Sequence, residues 1–271
     1  NRLDAPLHGW DGQGMTNVIT IPAMGDNFIY LHPCGEGRAF AVDPGDASRV
    51  LEALARHERT LTAILLTHHH WDHTGGVADL HAKTGCQVVG VDRSLIPPAD
   101  QVASDGDGLT IDEVRVRFIG TPGHTKRAIS YHVEPSAVDP YGVVYTGDTL
   151  FIGGCGRLLE GDAETMWQSL QKLAALPGET RVYCGHDYTL ENYEFATSVA
   201  PDHRPFRERL AQVQRALEYG EPTVPSTIAQ ELTANIFLCA NEPAVRAAVG
   251  IPDAPAHEVF AELRRRKDLF G

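Results

Sequence analysis

The chain lacks any apolar run near the roughly 20 residues that a membrane-spanning helix needs. Its opening stretch, NRLDAPLHGWDGQG, has no apolar core of a secretory signal. Cysteine is scarce: Cys34, Cys86, Cys155, Cys184 and Cys239 are an odd set of five with no CxxC pair. That excludes a disulfide framework and points to unbridged thiols in a reducing compartment, the cytoplasm, with organellar import of a longer precursor left open. Positive charge is in deficit, with 23 Lys and Arg against 36 Asp and Glu and a net charge of −13. This disfavours nucleic acid or an anionic membrane as a main partner. No repeat or low-complexity tract is visible, and no obligate protein partner is evident. What remains is an ordinary globular balance, 42% hydrophobic in 271 residues, enough for one large domain or two smaller ones.

Residues 1–15 read as a leader without structure: a polar extension, an appended expression tail or a trimmed targeting segment, with Met15 near a natural start. From about Val18 to Cys184 the chain is rich in short apolar or alternating runs. NVITI, NFIYLH, RAFAVD, TAILLT, CQVVGV, EVRVRFIG, AISYHV and GVVYTGD are each bounded by Gly, Pro or Asp and predict strands. Helical spacing intervenes at Ala47–His57, Gly76–Thr84 and Ala163–Leu176. Strands interleaved with helices predict a layered α/β domain. After His186 the pattern turns helical, in ENYEFATSVA, HRPFRERLAQVQRALEYG, PSTIAQEL, EPAVRAAVG and HEVFAELRRRKDLF. Ser226 with Thr227 and Gln230 fits a helix N-terminal cap. A boundary near residue 188 follows, giving an α/β domain over 16–187 and a smaller α-helical one over 188–271.

Against this background one stretch is unusual. THHHWDHTGG, Thr67 to Gly76, carries His68, His70, Asp72 and His73 as H-x-H-x-D-H just after the apolar run LTAILL. Two residues apart in extended chain, His68 and His70 project to one side. Asp72 and His73 follow in the turn and can face a second centre. The plain alternative is a solvated histidine-rich loop. Three further donors also fall at predicted strand ends beside a Gly: His124 in GTPGHTKRA, Asp148 in YTGDTLFIGG and His186 in RVYCGHDYT. Singly each is an ordinary cap or surface group. Together they make seven nitrogen and oxygen donors, enough for two metals sharing a carboxylate. Such a set suits zinc, iron or manganese better than calcium or magnesium. The other histidines lack this context and read as surface or core residues.

H-x-H-x-D-H followed by isolated His, Asp and His resembles the metallo-β-lactamase superfamily. VDPGD, LTHHHWDHTGG, TPGHT, GDTLFIGGCGRLLEGD, YCGHDYTLENYEFA and LRRRKD, in that order, narrow the resemblance to the glyoxalase II (hydroxyacylglutathione hydrolase) family. The resemblance implies an αββα sandwich with a dinuclear site at its edge and a helical domain behind it. It assigns His68, His70 and His124 to a first metal and Asp72, His73 and His186 to a second, with Asp148 bridging. It implies zinc, with iron and manganese open. The implied reaction is hydrolysis of S-D-lactoylglutathione to D-lactate and glutathione, a step of methylglyoxal detoxification. A water between the two metals would ionise near neutral pH and attack the thioester, oriented by Asp72. The departing thiol has a pKa of about 8.5 and needs no strong acid. Cys155 has no evident base beside it in sequence and reads as structural.

The resemblance also places Arg157, Tyr188, Arg264 and Lys267 against the glutathione moiety, whose two carboxylates call for cations. The plain alternative for the RRRK run is a solvated helix end favoured by the helix dipole. Two positions depart from the family: Leu159 stands in place of a Tyr, and Cys239 in place of an Arg. The rival readings are a persulfide dioxygenase of the same superfamily with a single iron, a β-lactam hydrolase, a nuclease and an inactive metal-binding scaffold. The helical C-terminal part and LRRRKD disfavour the dioxygenase, GDTLFIGGCGRLLEGD and the C-terminal helices disfavour the β-lactam hydrolase, the charge disfavours the nuclease, and seven intact donors disfavour the scaffold.

Overall fold

The structure is a computed structural model that describes residues 18–136 and 139–270, so the expected leader, residues 1–15, lies outside the described residues. The chain divides into two compact units. One runs up to Gly120 and adds Arg127–Gly147; the other takes Thr121–Lys126 and everything from Asp148 onward.

In the first unit β1 (Ile19–Ala23), β2 (Asn27–Gly35) and β3 (Arg38–Val42) form an antiparallel meander. Helix α1 (Ala47–Arg56) then crosses over to β4 (Thr60–Leu65), which runs parallel to β3. A short α2 (Trp71–Thr74) and α3 (Val77–Thr84) lead to β5 (Gln87–Gly90), followed by a brief β6 (Gln101–Val102), both again parallel. β3, β4 and β5 are nearly continuous apolar runs, as strands covered on both faces must be. α1 starts at Asp46, whose carboxylate accepts from the Ser48 and Arg49 amides, and buries Val50, Ala53 and Leu54 along one stripe.

A second sheet of β7 (Gly108–Ile111), β8 (Val114–Gly120), β9 (Ile129–Val133) and β10 (Val143–Gly147) is antiparallel throughout. Aromatic side chains join the two sheets. The Tyr145 ring lies 5.4 Å from Tyr30 and 6.4 Å from Phe40, centroid to centroid. Tyr131 Oη donates to the Leu66 carbonyl at 2.8 Å. The backbone at the end of β4 is therefore held from the sheet opposite, where the histidine loop begins.

The second unit begins with a small hairpin, β11 (Leu150–Phe151) and β12 (Gly154–Cys155), followed by α4 (Ala163–Ala174) and β13 (Arg181–Cys184). Next come α5 (Thr189–Val199), α6 (Arg204–Glu218), β14 (Ser226–Thr227), antiparallel to β13, and α7 (Ile228–Ala234). A 3-10 turn at Leu238–Asn241, α8 (Pro243–Val249) and α9 (Ala256–Asp268) complete it. Thr227 and Gln230 form the expected capping box at α7, while Ser226 serves in β14. Phe195 stacks on Phe237 in the interior of this unit, Phe237 meets Phe260 edge-on, and Trp167 of α4 meets Phe260 of α9. Among the described residues no helix is long and apolar enough to cross a membrane.

His32 sits between the sheets of the first unit, stacked on Phe40 at 4.9 Å, with Nδ1 2.8 Å from Tyr145 Oη. Burial pushes its imidazole down to about 3, so the folded protein holds it neutral. An unfolded chain takes up that proton near pH 6.5, so falling pH favours unfolding between about 6.5 and 3, by at most about 1.4 kcal/mol per pH unit. Thermal unfolding of a His32→Gln variant should therefore depend less steeply on pH than wild type between pH 6 and 4. Parallel slopes for the two proteins would contradict the neutral buried state.

Candidate metal centre

The first unit builds its donors around one buried carboxylate. Asp43 follows β3 in VDPGD, with a φ of +50°, a left-handed conformation that Asp tolerates better than most residues. Its Oδ1 accepts from the Thr67 amide at 2.8 Å and its Oδ2 from the Thr67 hydroxyl at 2.6 Å. The same Oδ2 lies 3.0 Å from His73 Nδ1. An ionised carboxylate only accepts, so His73 donates through Nδ1 and presents Nε2 as an acceptor. Thr67 Oγ1, having given its proton to Asp43, accepts from His68 Nδ1 at 3.0 Å. His68 is thereby fixed in the same tautomer by relay.

The acceptor nitrogens converge. His68 Nε2 comes within 3.1 Å of His70 Nδ1, so the two histidines do share a side as their spacing predicts. His73 Nε2 lies 3.4 Å from Asp72 Oδ2. Asp72 and His73 ride on α2, a single turn that forms because backbone packs on backbone. A side chain at Gly45 would sit 1.9 Å from the Asp72 carbonyl oxygen, and one at Gly76 2.5 Å from the Pro44 oxygen. The glycines of DPGD and HTGG are needed for this approach, which carries the loop past the Asp43 carboxylate.

The second unit supplies His124, Asp148 and His186, all buried. His124 Nδ1 donates to the Arg157 carbonyl at 2.9 Å, leaving Nε2 as the acceptor. That Nε2 is 3.4 Å from Asp148 Oδ2, and His186 Nε2 is 3.4 Å from the same oxygen. One carboxylate oxygen thus faces two imidazole nitrogens at the separation of ligands that share an ion. The His186 ring stacks on Tyr188 at 5.1 Å, and Phe151 meets both rings edge-on.

These spacings fit a metal. Donors around a tetrahedral ion with bonds of about 2.0–2.1 Å lie about 3.3–3.4 Å apart. The donor separations are 3.1 Å for His68 and His70 and 3.4 Å for the others, and oxygen partners set the tautomers of His68, His73 and His124 from behind. Asp43 has its oxygens engaged by Thr67 and His73, so it orients those side chains from behind. The VDPGD motif carried this residue in the sequence, but nothing in the motif's spacing announced the role.

The residues expected against substrate are placed less uniformly. Arg157 is exposed and Tyr188 half-buried. Arg264 and Lys267 are no solvated helix end: their side chains are 5% and 6% exposed, whereas Arg265 beside them is 60% exposed. Arg264 pairs with Asp268 at 2.9 Å and donates to the Cys155 carbonyl at 2.8 Å; Lys267 pairs with Glu191. Arg264 belongs to a clamp on the β11–β12 hairpin. Asn235 donates to the Phe151 and Gly154 carbonyls, Asn192 to the Ile152 carbonyl, and Glu231 accepts the Gly153 amide at 2.8 Å. Gly153 and Gly154 admit this contact, since added side chains would meet the Tyr193 ring and the Asn192 amide. The hairpin joins Asp148 to Arg157. Cys155 lies inside it, and burial pushes its thiol up to about 11, so it is a protonated structural residue at neutral pH. Leu159 is exposed and Cys239 buried.

The fold and its donors define a class. The metallo-beta-lactamase superfamily model matches residues 26–186, and the model described as hydroxyacylglutathione hydrolase C-terminus matches residues 187–270. The hydroxyacylglutathione hydrolase of Methylococcus capsulatus is 45% identical over 94% of this chain and 99% of its own length. Two solved structures share the fold. ETHE1 from Myxococcus xanthus has 25% identity and a TM-score of 0.61, covering 90% of this chain and 89% of its own. TTHA1623, solved in a di-iron-bound form, has 26% identity and a TM-score of 0.56, covering 80% and 98%. The chain has the metallo-β-lactamase fold followed by a helical region. It belongs to the hydroxyacylglutathione hydrolase family of that superfamily.

The Asp43 network yields an expectation. Asp43→Ala removes the partner of His73 and of the Thr67–His68 relay, and losses of such outer partners typically cost about 10–100-fold in metal affinity. Zinc retained after dialysis against a chelator should fall accordingly. Unchanged retention would remove Asp43 from the metal chemistry.

Proposed function

We propose that this chain hydrolyses the thioester of S-D-lactoylglutathione to D-lactate and glutathione with two divalent metals. The observation that carries the proposal is Asp148 Oδ2, placed 3.4 Å from both His124 Nε2 and His186 Nε2. That triad alone would suit one ion, and the four further donors of the histidine loop, His68, His70, Asp72 and His73, call for a second. The substrate class, a hydroxyacylglutathione, is that of the relative's name, at 45% identity over nearly the full length, and the lactoyl member of that class is what the family resemblance implies. On the family's pattern, His68, His70 and His124 hold the first metal, Asp72, His73 and His186 the second, and Asp148 serves both. Zinc is the metal we propose, with iron and manganese the alternatives, since the donors are mixed nitrogen and oxygen.

When bound, the metals would bring a water's ionisation near neutral pH and draw off charge developing on the thioester carbonyl. The chain's own residues supply the rest. Asp43 and the Arg157 carbonyl hold His73 and His124 in the tautomers that leave Nε2 as donor to a metal. Asp72 orients the attacking water. The C–S bond breaks as the water oxygen bonds the carbonyl carbon, and the thiolate leaves without acid assistance, its thiol pKa being about 8.5. Arg157, whose backbone fixes His124, extends its guanidinium to a glutathione carboxylate, and Tyr188 flanks it. Arg264 and Lys267 serve the same moiety from α9 while pairing with Asp268 and Glu191. Residues 16–187 are then the catalytic part and 188–271 the substrate-binding part. A cytoplasmic setting suits five cysteines with no disulfide among the described residues. A persulfide dioxygenase with a single iron held by two histidines and one aspartate would leave four of the seven donors without work.

Two experiments test this reading. Asp148→Ala should lower bound metal and abolish hydrolysis of S-D-lactoylglutathione; full metal content with normal turnover would sink the assignment. Cys155→Ser should keep most of the rate at equal metal loading, because the buried thiol is protonated and no protein nucleophile is needed. Loss of turnover in a folded, fully metallated Cys155→Ser enzyme would reverse that.

A further inference from the structure

We infer that Asn27 is the positioning residue for Asp72, holding the carboxylate oxygen that faces the second metal. The inference rests on the proposed ligand role of Asp72. Asn27 opens β2 opposite Ala23 of β1, so Met24, Gly25 and Asp26 form the turn between them. It is only 5% exposed. Its Nδ2 lies 3.1 Å from Asp72 Oδ2 and 3.4 Å from the Asp72 carbonyl oxygen. One amide NH2 carries two hydrogens and can serve both acceptors at once. A side-chain oxygen and its own backbone oxygen held by one group leave the Asp72 side chain little torsional freedom.

The oxygen that Asn27 holds is the same Oδ2 that lies 3.4 Å from His73 Nε2. A carboxylate oxygen has more than one acceptor direction, so one is taken by Asn27 and another remains toward the position shared with His73. The backbone is pinned too, because Gly45 packs against the Asp72 carbonyl so closely that a Cβ there would stand 1.9 Å away. Asn27 thus does for Asp72 what Asp43 does for His73. The two partners come from neighbouring antiparallel strands, at the start of β2 and just past the end of β3, which lie at the same end of the sheet. The difference in residue type follows the ligand. An imidazole needs an acceptor behind it, and a carboxylate needs a donor. A neutral amide gives that donor without a positive charge that would compete with the metal.

A residue that only closed the β1–β2 turn would affect folding and leave metal affinity alone. The test therefore reads metal. In the full chain, Asn27→Leu keeps the size of the side chain and removes the donor. Zinc affinities measured by chelator competition should show one equivalent unchanged and the other weakened about 10–100-fold, the usual effect of losing an outer partner. kcat should fall at limiting zinc and recover with excess, while KM stays constant. In an Asp72→Ala background, Asn27→Leu should produce no further loss. Should the leucine variant fail to fold, Asn27→Ala reads the same quantities. Wild-type affinity for both zinc ions in the Asn27 variant, or an equal loss with Asp72 already removed, overturns the inference. Asp72→Ala retaining both zinc ions would instead bring down the ligand assignment on which it stands, an outcome visible without any change at Asn27.

Discussion

The metal loop depends on one buried negative charge. Asp43 is 3% exposed and could not remain ionised there without donors, because an uncompensated buried carboxylate is costly. Thr67 provides two of those donors and His73 the third. The constraint works in both directions. The carboxylate needs the loop in order to stay charged, and the loop needs the carboxylate to fix two imidazole tautomers, one directly and one through the Thr67 hydroxyl. Since β3 and β4 are neighbours in register, Val42 opposite Leu65, the residues that follow each strand emerge side by side. The parallel pairing of two apolar strands is therefore what brings Asp43 to Thr67.

The same reasoning accounts for what the sequence showed and what it hid. The long strands and helices were legible because each buries a face, and burial imposes an apolar period bounded by Gly, Pro or a cap. The observed α1, α3 and α4 agree with the expected helices to within a residue or two at either end. β6, β7, β11, β12 and β14 were not foreseen, being two to four residues long and too short to carry a period. The donors were legible for a different reason: four metal-binding side chains crowded into six residues have few other uses. Asp43 and Asn27 lie 30 and 45 residues from the groups they orient, and neither is marked by its neighbours. Arg264 and Lys267 looked like a choice between a solvated helix end and an anion trap. The helix buries them because α9 packs on more than one side, with Asp268, Glu191 and the Cys155 carbonyl ready to receive the charge.

The helical region has an architectural task that its sequence did not disclose. Asn192 of α5, Glu231 and Asn235 of α7 and its C-terminal cap, and Arg264 of α9 come from three separate stretches and between them bind a backbone group of every residue from Phe151 to Cys155. A two-residue strand pair has too few ladder bonds to hold itself. Here side chains replace the missing ladder. Glu231, fully buried, has its carboxyl pushed upward by burial, and the Gly153 and Asn235 donors offset part of that cost. The hairpin that joins Asp148 to Arg157 is thus fixed from outside.

The two sets of donors are oriented by different kinds of partner, and this makes them chemically unequal. His124 is backed by a neutral carbonyl, whereas His73 is backed by a carboxylate, which makes an imidazole more basic. On the proposed assignment the first metal is met by three neutral imidazoles and a share of Asp148. The second is met by two imidazoles, the same share and the whole charge of Asp72, with Asp43 behind. The second position therefore carries more negative charge and favours the harder cation, while the first favours an ion content with nitrogen. On that assignment the metals, when bound, would supply positive charge to polarise the thioester carbonyl, and Asp72 would orient the attacking water.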